Sequence, residues 1–227
     1  MKRKLWSREE LILAFNLYLK IPFGKIHSTN KDVIHLAQLI GRTPNSVALR
    51  LVNFASVDPV LKERGVKGMD GGKKIVQPIW DEFFNNQEEL IFLSEKILAE
   101  KENFTVEQKF ENLFFDIKEL KGEVKLREIK TRVNQNVFRQ MVISNYTGKC
   151  AISGIDIPEL LVASHIVPWS INEEERLNPE NGICFSALYD KAFDKGLIGI
   201  DEQYKILLSK NIKKNKEAIY YDKYFAP

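Results

Sequence analysis

Hydrophobic and polar positions recur along this chain with two different periods, and the change of period divides it. Over residues 7–20, "SREELILAFNLYLK", apolar residues fall at Leu11, Ala14, Phe15 and Tyr18, with Ile12 and Leu19 widening the face. That is the spacing of one side of a helix. Ser7 stands where an N-cap belongs and Glu10 follows three residues later, as in a capping box; Pro22 and Gly24 end the segment. Val33 to Ile40 predict a short second helix and "GRT" a turn. A third helix is expected from Pro44 or Asn45 to near Asn53, with Val47, Leu51 and Phe54 on one side. Two short helices about a glycine-containing turn have the pattern of a helix-turn-helix. The second would be the reading helix, with Asn45, Ser46 and Arg50 near its outer face.

Residues 62–78, "KERGVKGMDGGKKIVQP", predict a loop. Its "GGKK" lacks the full G-x4-GK-[ST] pattern, which excludes a phosphate loop. Residues 79–120 read as helical, with acidic residues on solvated faces, and Gly122 is a break. "REIKTRVNQNVFRQMVISNYTGKCAISG" then predicts a basic lead-in, a helix, a turn at Thr147–Gly148 and a short strand around Cys150–Ile152. Beyond it the period shortens. Leu160 to Ile166 suit a strand that Pro168 stops, residues 171–180 form a polar loop, and Asn181-Gly182 signals a turn. Ser186 can cap a short helix carrying Ala187, Leu188, Asp190, Phe193 and Asp194; Gly196 ends it and "LIGID" reads as a strand. The expected class is α+β. A helical domain over residues 1–120, with the helix-turn-helix-like unit, precedes a second domain over residues 121–227.

Charge adds one element to this picture. The net charge of +3 says little, but residues 1–80 carry 14 Lys/Arg against 6 Asp/Glu, and residues 81–119 carry 4 against 11. Residues 120–149 return to 7 against 2. Two basic blocks around an acidic one predict two places where a polyanion is touched. In the second block Arg127, Lys130, Arg132 and Arg139 are placed to follow a phosphate backbone. Two cysteines, Cys150 and Cys184, are too few for a disulfide framework or a four-cysteine zinc site. Ser153 stands where a knuckle from Cys150 would need its second cysteine, so any metal would take oxygen and imidazole ligands. No stretch approaches the ~20 apolar residues of a membrane span. The opening "MKRKLWSREELILAF" lacks a secretory apolar core, and a cytoplasmic protein is expected.

Of three histidines, His27 and His35 have no carboxylate at useful spacing and read as structural or surface residues. His165, in "LLVASHIVPWS", stands where a strand ends. Together with "CAISG", "RLNPENGICFSALYDKAFDKGLIGID" and the upstream "QNVFRQMVISNY", this stretch resembles the ββα-metal fold of HNH nucleases. The likeness covers roughly residues 127–210 and is to the subgroup typical of bacterial restriction endonucleases. "WSREELILAFNLYLKIPFGKI" and "GRTPNSVALRLVNFASVDP" also look like the region that precedes such a nuclease. The resemblance implies His165 as general base, Asn181 as the residue that fixes the loop and holds the imidazole, and Asp190 as metal ligand, with Asp194 as a second. A histidine near its usual pKa of ~6.5 can take a proton from water at neutral pH, and a divalent ion would stabilise the phosphate's charge.

Two positions depart from the family's pattern. Asp190 stands where His or Asn is usual, and Ser164 precedes the base where Asp or His is common. Aspartate suits hard Mg2+ first and Mn2+ second. The implied protein is a DNA endonuclease of restriction or defence, cytoplasmic and nucleoid-associated in a bacterium. Its substrate would be double-stranded DNA, and a palindromic target would call for a homodimer. The alternative is a DNA-binding regulator with a decayed nuclease domain.

Overall fold

The computed structural model describes residues 5–66, 68–114 and 119–225. It divides into two compact units, Met1–Val137 and Phe138–Pro227.

The first unit is helical. Helix α1, Arg8–Lys20, begins with the expected capping box: Ser7 Oγ accepts from the Glu10 N–H at 3.2 Å, and the Glu10 carboxylate accepts from the Ser7 N–H at 2.9 Å. Helices α2, Lys31–Leu39, and α3, Pro44–Ala55, follow. The turn between them is a Schellman motif. Gly41 takes φ of +64°, and the Arg42 N–H reaches back to the Ala37 carbonyl at 2.8 Å. Thr43 then caps α3, accepting from the Ser46 N–H. Phe15 of α1 stacks on Phe54 of α3 at 4.7 Å and meets Trp80 at 5.0 Å, so the apolar faces read from the periodicity close on one another.

The stretch expected as a loop over residues 62–78 holds more structure than that. Helix α4, Pro59–Glu63, enters it, and α5, Lys73–Phe83, begins inside it. Pro78 lies within α5. A proline removes one helical donor, but Val76, Ile79, Trp80 and Phe83 form a continuous buried face that outweighs the lost bond. Helices α6, Gln87–Lys101, and α7, Val106–Lys109, and a 3-10 turn at Glu111–Leu113 fill much of the region expected to be helical to residue 120; residues 119–121 lie outside any helix, and residues 115–118 lie outside the described residues. Helix α8, Gly122–Asn145, starts at the expected break, where Gly122 has φ of +58°. The division between the two units falls within it.

In the second unit, Thr147 and Gly148 both adopt positive φ and turn the chain after α8. The strand expected around Cys150–Ile152 is instead a turn closed on itself. The Cys150 N–H bonds to Ile155 O at 2.8 Å and the Gly154 N–H to Cys150 O at 3.0 Å. Strand β1, Leu161–His165, pairs antiparallel with β2, Gly182–Ser186, in the register Leu161↔Ser186 to His165↔Gly182. Helix α9, Ala187–Asp194, follows β2 directly. Ser186 is its N-cap by position, but its side chain makes no capping bond. Gly196, at φ +63°, ends the helix through a Schellman turn, with the Leu197 N–H on Ala192 O. A hairpin of β3, Ile198–Ile200, and β4, Ile206–Leu208, and two short helices, α10, Lys210–Lys213, and α11, Ile219–Tyr224, complete the unit.

Candidate active site at the end of strand β1

Alternation along a strand sends neighbouring side chains to opposite faces. At the end of β1 this separates Ser164 from His165. The Ser164 hydroxyl, buried, donates to the Asp190 carboxylate on α9. His165 turns the other way and lies flat on Phe138 of α8, with ring centroids 4.0 Å apart and planes 8° apart. The partner opposite His165 in the register is Gly182. A Cβ there would stand 2.3 Å from Val142 Cγ2 and 2.9 Å from Phe138 Cζ, so the missing side chain admits the ring that supports the imidazole.

The imidazole Nε2 lies 3.0 Å from the Arg176 carbonyl oxygen. A carbonyl can only accept, so Nε2 carries the hydrogen and Nδ1 keeps the lone pair in the neutral ring. Trp169 meets the same imidazole edge-on, at 5.5 Å and 86°. Asn181 is 6% exposed, and its side chain serves the loop. Its Oδ1 accepts from the Val167 N–H at 2.7 Å, and its Nδ2 donates to Val167 O and Glu175 O, both at 3.1 Å. Asn181 was expected both to fix the loop and to hold the imidazole. Its amide is committed to the loop, and the bond to the imidazole comes from the Arg176 carbonyl.

A hard cation takes oxygen ligands, and Mg2+ commonly needs only one or two carboxylates, with water and phosphate completing its shell. Asp190 has a second carboxylate oxygen beyond the one that Ser164 engages, so the donor set fits such an ion. No group of three or more His, Cys, Asp or Glu side chains is gathered for a metal among the described residues. Asp194, the other expected ligand, is the exposed last residue of α9.

The expected nucleic-acid contacts are scattered. Asn45 is exposed and Ser46 half-buried at the start of α3. Arg50, expected near the outer face, is 8% exposed; it donates to Asn53 Oδ1 at 3.1 Å and lies over the Trp6 ring at 4.8 Å. Trp6 lies far from Arg50 in sequence, so local periodicity could not show that this side of α3 is covered. Lys130 pairs with Glu89 at 2.7 Å, and Arg132 binds Glu128 and Leu113 O. Arg139 donates to Pro158 O and Leu161 O, both at 3.0 Å, and so ties α8 to the start of β1. Arg127 is exposed.

Three contributors to the site were not read from the sequence: Phe138, Trp169 and the main chain of Arg176. The aromatics carried no signal beyond that of ordinary core residues. A carbonyl belongs to every residue, so its use at Arg176 is visible only in the folded loop.

Residues 150–201 match the family model described as HNH endonuclease. The match spans the turn at Cys150, both strands of the ribbon, the loop and α9. It supports HNH membership for this segment and, with it, nuclease activity and a DNA substrate. No curated protein matches the chain. No helix among the described residues is long and apolar enough to cross a membrane.

Proposed function

We propose that this protein is a metal-dependent DNA endonuclease, with His165 as general base and Asp190 as the carboxylate that holds a divalent cation, Mg2+ first and Mn2+ second. The observation that carries this reading is the end of β1, where His165 presents an imidazole bonded to the Arg176 carbonyl and its neighbour Ser164 engages the Asp190 carboxylate of α9. A phosphodiester bound at that strand end would meet His165 through the attacking water and Asp190 through the bound cation. His165 Nδ1 would take the proton of the attacking water. Asn181 holds the loop that carries the imidazole's acceptor. The cation, when bound, would stabilise charge on the phosphate and the leaving oxygen. The helical unit would bind double-stranded DNA, with Asn45 and Arg127 as its most accessible expected contacts. Restriction or defence in a bacterial cytoplasm is the role this chemistry fits.

The experiment is a plasmid assay with purified protein, with and without Mg2+ or Mn2+, beside His165→Ala. Cleavage that needs the cation and falls by ~10²–10⁴ in the variant is expected, since that is the usual worth of a general base. Equal cleavage by the variant removes His165 from the role. A second reading, a DNA-binding regulator with a decayed nuclease domain, draws on Ser164, which places a hydroxyl beside Asp190 where the family commonly has a stronger ligand. Binding of DNA without cleavage under every metal would favour it.

A further inference from the structure

Arg176 meets the site twice, once through its main chain and once through its side chain. Its carbonyl accepts from His165 Nε2 at 3.0 Å. Its guanidinium Nε donates to the Trp169 carbonyl at 2.8 Å, lies over the Trp169 ring at 5.3 Å, and reaches Glu173 at 3.1 Å. Trp169 in turn stands edge-on to the imidazole. The contacts therefore close a circuit: imidazole to Arg176 carbonyl, Arg176 guanidinium to Trp169, indole back to imidazole. The Arg176 side chain is about one-fifth exposed and that of Glu173 about four-fifths, whereas Trp169 is half-buried.

We propose that Arg176 is a positioning residue for His165. Its guanidinium fixes the loop so that its own carbonyl selects the Nε2–H tautomer, with Trp169 set edge-on beside the ring. Asn181 alone does not secure this. Its amide holds Val167, two residues before Trp169, and Glu175, one before Arg176, while the Trp169–Arg176 link holds the segment that meets the ring. Lysine cannot replace Arg176, because only a guanidinium can donate from Nε to the Trp169 carbonyl while a second nitrogen reaches Glu173.

The inference rests on the nuclease reading only for its effect on rate. Its structural content is tested separately by 15N spectra of the His165 ring in the full chain. With three histidines in the protein, assignment needs only the single His→Gln variants. The wild type is expected to show the Nε2–H tautomer at His165, and Arg176→Ala and Arg176→Lys a mixture of tautomers. In plasmid cleavage with Mn2+, Arg176→Ala should lower kcat by about 10- to 100-fold, the usual effect of a slightly misplaced reacting group. KM for the plasmid and the affinity for Mn2+ should stay within about twofold of wild type, the change expected when an interaction common to ground and transition states is left intact. If Arg176→Ala does not fold, Trp169→Leu reads the same circuit from its other member and should give the same tautomer mixture. A wild-type 15N pattern in folded variants overturns the proposal, and so does a change in KM with kcat unaltered. A wild type that cuts no DNA but loses its tautomer in Arg176→Ala would overturn the nuclease reading and leave the positioning intact.

Discussion

The helical unit and the ββα unit use their polar groups differently. In the helical unit charges answer charges. Lys20 and Lys109 both meet Glu95, Lys130 meets Glu89, Arg8 meets Glu82, and Arg42 meets Glu10. Around β1 and α9 the groups with chemical potential meet neutral partners instead: a carbonyl for His165 and a hydroxyl for Asp190. An ion pair uses up the charge of both members, whereas a neutral hydrogen bond orients a group and leaves its charge or lone pair available. The acidic block over residues 81–119 is thus in part the counterpart of the two basic blocks, and the alternation of charge along the chain reflects internal pairing as much as contact with a polyanion.

Removing the carboxylate at the strand end is the strongest way to break this contrast. Asp190→Ala should lose cleavage and Mn2+ binding together, while Asp194→Ala should keep both, since Asp194 is exposed at the end of α9. Asp190→Asn should retain part of the function, because the amide oxygen still coordinates without the charge. Asp190→His should move the preference from Mg2+ toward softer ions. Calorimetric titration of Mn2+ into both alanine variants decides the matter. Normal binding by Asp190→Ala with none by Asp194→Ala would assign the ligand to Asp194.

Gly182→Ala sharpens the comparison by moving a support rather than a reacting group. The added methyl must displace Val142 or the Phe138 ring under His165. Overpacking of this kind costs about 1–3 kcal/mol. The expected result is a lower melting temperature together with a loss of cleavage larger than the fraction unfolded explains. Full activity in the variant would show that Phe138 does not hold the imidazole.

What the sequence made legible follows the range of the interaction concerned. The capping box at Ser7, the Gly41 turn and the Gly196 end of α9 depend on residues within one turn of each other, and they stand as read. The pairing of β1 with β2, with His165 and Asp190 near one strand end, followed from the spacing of a family pattern. Arg50 and the circuit at Arg176 depend on contacts between distant residues or on main-chain atoms, and neither leaves a mark in local periodicity. A turn stands at Cys150 where a strand is expected because the short apolar run Cys150 to Ile152 looks the same in a strand and in a closed loop.

Arg50 tests the helical side. Its burial against Trp6 and Asn53 means that Arg50→Ala should lower stability by about 1–3 kcal/mol, the cost of leaving buried polar partners unmatched. DNA affinity of the folded fraction should change little. Asn45→Ala or Arg127→Ala, at exposed positions, should do the reverse, weakening binding without altering the melting temperature, and Arg127→Ala, which removes a charge, should also reduce the salt dependence. Loss of affinity in a fully folded Arg50→Ala protein would return that residue to the DNA-binding face.

The smallest effect expected is acid sensitivity of the helical unit. Burial alone would raise the pKa of Glu95, but Lys20 at 2.8 Å and Lys109 at 3.5 Å together outweigh it and hold the carboxyl below its ordinary value. A carboxylate whose pKa is depressed by folding contributes stability that is fully present above its unfolded value, about 4.3, and is lost as pH falls through the folded one. The melting temperature of this unit should therefore decline below about pH 4, in part through Glu95. Glu95→Gln should be less stable at neutral pH, because Lys20 loses its counter-charge, and should decline less steeply in acid. In a Trp169→Phe background the remaining tryptophans, Trp6 and Trp80, both belong to the helical unit and report its unfolding by fluorescence. An acid slope in Glu95→Gln as steep as in the parent would mean that other carboxylates carry the dependence, and that the charge pairing at Glu95 fixes geometry rather than stability.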